Sequence, residues 1–306
     1  MQTTIQTSVT FTGAGLHSGA PVRMTVSPVE ADTGIRFRRN DVTDADPVVP
    51  ARWDAVVPSR LCTLIANAEG TSVSTIEHIM AALAGCGIHN AMIDIDGPEV
   101  PILDGSAAPF VARLIPAGLR VLDRPLRALR VLAPVEVREG EAVARLEPAD
   151  SLEIDFHIDF ADKAIGRQTK SLDMANGAFV RELATSRTFC RQADVDAMRA
   201  RGLALGGTLE NAVVVDGDRV LSPGGLRFAD EPVRHKMLDA LGDLALAGGP
   251  ILGRYIGERA GHAMTNALLR ALFAQPLAYD WVDCGVVTGR KLPGVGVTVA
   301  DLPALA

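Results

Sequence analysis

The sequence predicts an α+β fold of two similar halves, each a mainly antiparallel sheet covered by a layer of helices. Three observations predict it. Short runs between residues 9 and 38 alternate apolar and polar side chains, punctuated by Gly, Pro and Asp, as in a sheet with one wet face. Helical stretches with start and stop signals follow at 74–84, 106–118 and 230–248. Beyond a connector at 119–126, the order of strand, Pro-containing turn and strand recurs, which makes an internal duplication the economical reading.

Taken in order, 9–12, 22–26 and 34–38 read as strands. The turn from Gly13 to Gly19 holds His17 where backbone can approach a ligand closely, or is an ordinary hairpin loop. Residues 40–58 are rich in Asp, Pro and Val without a helical period and read as a small insert. A short strand at 62–66 and a turn at 67–70 precede the helix at 74–84, where Ser74 and Glu77 match the capping box and Gly85 stops the helix. Glu77 then either only caps, or stands as a carboxylate beside a metal-ligating His78. A strand at 91–96 leads to a helix capped by Ser106. In the second half, 135–138, 142–146 and 152–160 are strands, and His157 within the last reads as structural. A short helix at 179–184, a strand at 185–189, a helix at 192–201, a glycine-punctuated apolar stretch at 202–207 and a strand at 211–216 follow. A last long helix starts at Gly261, and 281–299 is strand-like.

The helix at 230–248 carries the most chemistry. Asp230 suits its N-cap, and Gly248-Gly249-Pro250 ends it. At about 100° per residue, His235, Asp239 and Asp243 fall about 40° apart and share one stripe. Met237, Leu238, Leu241, Leu244 and Leu246 supply an apolar remainder to dock on a sheet. An imidazole one turn before a carboxylate can give two ligands to one metal ion, but the same spacing also arises on a solvated helix face.

Composition narrows the choice. The chain has 306 residues and a net charge of −7, which argues against broad nucleic-acid binding. No basic leader with an apolar core opens it and no apolar run is long enough for a membrane span, so a soluble, cytoplasmic protein is expected. Its four cysteines, Cys62, Cys86, Cys190 and Cys284, form no CxxC pair and read as reduced thiols, with Cys62 and Cys86 as packing residues. Metal ligands should therefore be His and carboxylate. His78, His235 and Asp239 make a three-ligand set suited to a catalytic zinc with an open fourth position. Glu77 could take a proton from water, Asp243 could hold His262 protonated, and a hydroxyl such as Thr188 could help hold an oxyanion. That is amide or ester hydrolysis.

Thr75-Ile-Glu77-His78, Pro101-Ile-Leu-Asp-Gly-Ser106, Ser186-Arg-Thr188-Phe189, Glu210-Asn211-Ala, the stretch from Asp230 through His235-Lys236 and Asp239 to Asp243, and Gly261-His262-Ala-Met-Thr-Asn266 carry a resemblance. Together they resemble the UDP-3-O-acyl-N-acetylglucosamine deacetylases, the zinc amidases of lipid A synthesis in Gram-negative bacteria. The resemblance implies two similar α+β domains, 1–122 and 127–306 joined by 123–126, with the active site between them. It implies an insert in each, near 40–58 and at 190–212, the second lining a passage for an acyl chain. It implies one zinc per chain on His78, His235 and Asp239, Glu77 as general base, and His262 as general acid oriented by Asp243. Thr188 would polarise the acetamide carbonyl, and Lys236 and Phe189 would meet the substrate, UDP-3-O-(3-hydroxyacyl)-N-acetylglucosamine. Cys190 departs from the family's usual glycine, and an end at Ala306 leaves no appended dehydratase domain. A monomer is expected. A zinc amidase for another acylated amine, or a noncatalytic module clamped by metal, remain the alternatives, and His17 and His89 have no assigned role.

Overall fold

The computed structural model of the chain describes residues 1–59 and 61–302. In the first half a five-stranded sheet runs in the order Val9–Ala14, Pro21–Ser27, Ala91–Ile95, Ile35–Arg39, Val48–Pro50. Its ladders are antiparallel except that between Ile35–Arg39 and Ala91–Ile95. The second half repeats that path: Val135–Glu139, Ala142–Glu147, Ile251–Glu258, Leu152–Asp159, Arg167–Asp173, again with only the third ladder parallel. Arg127–Val131 and Tyr279–Asp283 extend this sheet to seven strands. The internal duplication expected from pattern is thus present strand for strand. Alternation is the local cause: side chains along Leu152–Asp159 are alternately buried and half-buried, so one face of the strand goes to the core.

Six α-helices complete the described chain: α1 (Glu77–Gly85), α2 (Ala108–Leu114), α3 (Gln192–Arg199), α4 (Glu231–Leu244), α5 (His262–Phe273) and α6 (Val286–Gly289). α1 and α4 occupy equivalent places in the two halves and pack against each other. Ile79, Met80 and Leu83 of α1 and Met237, Leu238, Leu241 and Leu244 of α4 belong to one continuous core. The approach is set by Gly242, where a Cβ would stand 2.1 Å from the carbonyl oxygen of Glu77. Gly242→Ala is therefore expected to force α1 and α4 apart and cost about 1–3 kcal/mol. A urea unfolding curve reads the loss; an unchanged midpoint would show that the two helices yield freely.

Several local expectations give way to tertiary pairing. Ser74 does not cap α1: it lies in the strand Ser72–Ser74, opposite Leu64, and its hydroxyl donates to the carbonyl of Pro98. Thr75, at φ 58°, then reverses the chain and Ile76 becomes the N-cap, which leaves the Glu77 carboxylate free of capping duty. Residues 40–58 do not form one excursion. Val48–Pro50 pairs with the main sheet because Val49 and Phe37 bury together, and the separate small sheet is Val56–Val57, Leu64–Ala66 and Ser72–Ser74. Around residues 190–212 lies a small sheet of Phe189–Arg191, Val213–Asp216 and Arg219–Val220, with α3 beside it. The strand expected at 185–189 lies instead at Phe189–Arg191, sharing only Phe189 with that span. Part of the connector, Leu119–Val121, is a strand paired with Thr3–Ile5. The tail leaves its ladder at Asp283 and forms α6, since Gly285, Gly289, Pro293, Gly294 and Gly296 cannot sustain a strand.

Candidate metal centre and active site

Burial separates the two readings of the α4 stripe. His235, Asp239 and Asp243 are 2, 5 and 2% exposed, which no solvated helix face would be. α1 brings Glu77 and His78 to the same place, each 4% exposed. The 14 residues of α4 are helical because Pro232 suits its first turn and four leucine or methionine side chains hold its apolar side. Asp230 marks its start without capping it; the carboxylate pairs with Arg234 at 2.6 Å and Lys170 at 3.3 Å.

The ligand atoms of His78, His235 and Asp239 lie within 4.8 Å of one another. The two imidazoles meet edge to face with centroids 5.0 Å apart. Asp239 Oδ1 is 3.2 Å from His235 Nε2 and 3.8 Å from His78 Nε2. His235 Nδ1 donates to the carbonyl of Ser186 at 3.0 Å, so its Nε2 presents a lone pair. Burial, reinforced by His235, lowers the His78 pKa to about 3, so this ring is neutral and one of its nitrogens carries a lone pair. Asp239 Oδ1 is buried without a hydrogen-bond partner among the described residues. Three potential ligand atoms converge here, and a buried acceptor left without a donor is costly. A His-His-Asp set of this kind could hold a metal ion, which would give that oxygen a partner. Asp239 Oδ2 accepts from Lys236 Nζ at 2.7 Å. Burial opposes charge on Asp239, yet His235, Lys236 and His262 hold its pKa well below the usual carboxylate range.

Beside these three lies a proton-handling set. Burial pushes the Glu77 pKa up to about 7, with His262 opposing and Asp239 and Asp243 adding to the rise. His262 Nε2 is 3.7 Å from Glu77 Oε1, and its Nδ1 donates to Asp243 Oδ2 at 2.8 Å. Burial works against a charged His262, but Asp243, Glu77 and Asp239 outweigh it and hold the pKa at about 9. A carboxylate near neutrality beside an imidazolium is the pairing that general base and general acid require.

Sequence reasoning missed the residues that orient this set. Thr63 donates its backbone N–H to Glu77 Oε2 at 3.0 Å and its hydroxyl to Asp243 Oδ1 at 2.5 Å, tying these two carboxylates together. No motif marked it. The Ser186 carbonyl that orients His235 is set by a buried ion pair beside it: Arg187 Nε donates to Glu231 Oε1 at 2.9 Å, and Glu231 also accepts the Arg187 backbone N–H. Removing one partner of such a pair costs roughly 3–5 kcal/mol.

Of the remaining candidates, the Phe189 ring stands edge-on to His235 with centroids 6.3 Å apart. Lys236 reaches the site through Asp239, with 17% of its side chain exposed. Thr188 is two residues from Ser186; its N–H donates to the carbonyl of Gly105 at 2.7 Å, and its hydroxyl makes no hydrogen bond among the described residues. Cys190 packs beside Val195, Ala212 and Val214, and burial raises its thiol pKa to about 11. Burial likewise raises Cys62 to about 11 and Cys86 to about 12, which suits packing residues. His157 pairs across its ladder with Thr169, a structural contact, and His89 lies beside Thr3, away from the ligands.

The family model described as LpxC, UDP-3-O-acyl N-acetylglycosamine deacetylase, matches residues 2–274. Relatives named UDP-3-O-acyl-N-acetylglucosamine deacetylase are similar over nearly all of the chain. That of Phenylobacterium zucineum is 51% identical over 278 residues, 91% of this chain and 95% of the relative. That of Anaeromyxobacter dehalogenans is 46% identical over 304 residues, 99% and 94% of the two chains. That of Shewanella oneidensis is 46% identical over 284 residues, 92% of each.

Proposed function

The chain belongs to the UDP-3-O-acyl-N-acetylglucosamine deacetylase family, and from that premise we propose that His78, His235 and Asp239 hold one zinc ion for a hydrolysis run by Glu77 and His262. The reaction is removal of the N-acetyl group from UDP-3-O-(3-hydroxyacyl)-N-acetylglucosamine, which yields the free amine and acetate in lipid A biosynthesis. The observation that carries the metal is the orphaned, buried Asp239 Oδ1 facing two imidazole nitrogens. Zinc is favoured over harder cations by two nitrogen donors and one carboxylate, and it supplies Lewis-acid charge that polarises the carbonyl and acidifies water.

The side chains divide the remaining work. Glu77 accepts the proton of the attacking water as its oxygen bonds to the acetyl carbon. Charge then develops on the former carbonyl oxygen, where the Thr188 hydroxyl donates and the His262 imidazolium lies close. As the carbon–nitrogen bond breaks, His262 Nε2 passes its proton to the leaving amine, and Asp243 holds the ring through Nδ1. Phe189, edge-on to His235, and Lys236 contact the acyl and sugar parts, and the lysine gives an anionic nucleotide sugar local positive charge within an acidic protein.

The domain division at 123–126 is part of this reading, supported by ladders that, among the described residues, all stay within one half. The insert at 190–212 lines the acyl passage. One chain carries the whole set, in keeping with a monomer, and four free cysteines suit the reducing cytoplasm. No helix among the described residues is long and apolar enough to cross a membrane.

Acetate release from the UDP-linked substrate tests the proposal. Activity should vanish with a chelator and return on adding zinc; activity indifferent to chelation would overturn the metal's role.

A further inference from the structure

Glu99 is buried at 4% exposure and has no basic partner among the described residues, yet its carboxylate is fully engaged. Oε1 accepts the backbone N–H of His17 at 2.7 Å and the Thr75 hydroxyl at 3.2 Å. Oε2 accepts the N–H of Ser18 at 2.9 Å and its hydroxyl at 2.7 Å. Charge-assisted bonds to successive backbone N–H groups fix a turn firmly. This turn, closed by Gly19 N–H to the carbonyl of Gly15, is the glycine-rich 13–19 segment of the first half.

A loop of the second half rests on it. Leu205 N–H donates to the carbonyl of His17 at 3.2 Å and Gly206 N–H to that of Leu16 at 3.0 Å. A Cβ on Gly206 would lie 2.1 Å from the Gly15 carbonyl oxygen, so only glycine permits the seat. Asn211 Nδ2 then holds the carbonyl of Gly206 at 2.9 Å. At this seam both His17 ring nitrogens are buried without a partner among the described residues, so a polar group of a ligand would find a donor and an acceptor there.

We infer that Glu99 is a positioning residue for the acyl passage: by clamping the 15–18 turn it holds the 204–206 loop, and so sets which acyl chains the enzyme accepts. The inference rests on the proposed substrate and on 190–212 lining the passage. Glu99 touches no reacting atom, so its loss should alter binding of the acyl chain and leave the chemical step alone.

Glu99→Gln keeps the size but turns an amide NH₂ towards donors. With the 3-hydroxytetradecanoyl substrate its KM should rise roughly tenfold while kcat stays within about twofold. With the 3-hydroxybutanoyl analogue, too short to reach far along the passage, KM should change less than about twofold. Ser18→Ala, which removes only the hydroxyl bond, should show a smaller shift in the same direction and guards against a misfolded first variant. A fall in kcat alone, equal KM changes for both chains, or no change in chain-length preference in either variant overturns the inference. So does a wild-type enzyme with no such preference. A wild-type enzyme that releases no acetate from either substrate instead overturns the proposed function.

Discussion

Glu77→Ala lowers kcat by about 10²–10⁴-fold while the zinc content of the purified protein is unchanged. The expectation follows from position: Glu77 adjoins a ligand in sequence, but its oxygens face His262 and the Thr63 N–H and do not enter the three-ligand set. His262→Ala should behave alike, because His262 is tied to Asp243 and faces Glu77. The double variant should lose little more than either single one, since base and acid serve the same proton path. The wild-type pH profile gives a second readout. Glu77 acts only when deprotonated, so the rate rises with pH through its pKa near 7, and a bound divalent cation moves that limb lower. His262 acts only when protonated, so the rate falls through about 9. The result is a bell, and His262→Ala should lose its alkaline limb. Loss of zinc from either variant would mean that a ligand has been misassigned.

Asp239→Ala abolishes metal retention, weakening zinc affinity by at least roughly 100-fold, and activity goes with it. Two effects act together. The variant loses the only anion in the ligand set, and it strands the Lys236 ammonium, now 2.7 Å from Asp239 Oδ2, beside two imidazoles. A stranded buried charge repels an incoming cation, so Asp239→Ala should bind zinc more weakly than His235→Ala does. Equilibrium dialysis against a zinc-buffering chelator measures both. An Asp239→Ala protein that keeps its zinc would remove this carboxylate from the metal centre.

Much of the fold was legible because its cues are local. Alternation along 22–26, 34–38 and 152–160 marked strands, and the duplication was visible as a repeated order of elements. Failures fell where partners distant in sequence outbid local preference. Ser74 reads as a helix cap on its own chain segment, but a ladder with Leu64 claims it. Residues 40–58 look like one irregular excursion, although Val48–Pro50 completes the main sheet. Thr63 and Glu231 carried no signal, because their worth lies in what they touch: Asp243, 180 positions away, and Arg187, 44 positions away.

By itself the sequence determined that His235, Asp239 and Asp243 share a helix face and that Glu77 precedes His78, since helical spacing is a property of the chain within a turn or two. Only the tertiary structure decided that the two helices meet at Gly242, that the shared face is buried, and that Glu77 is released from capping to face His262. Those outcomes depend on packing and pairing between distant segments, whose free energy no local window of sequence contains.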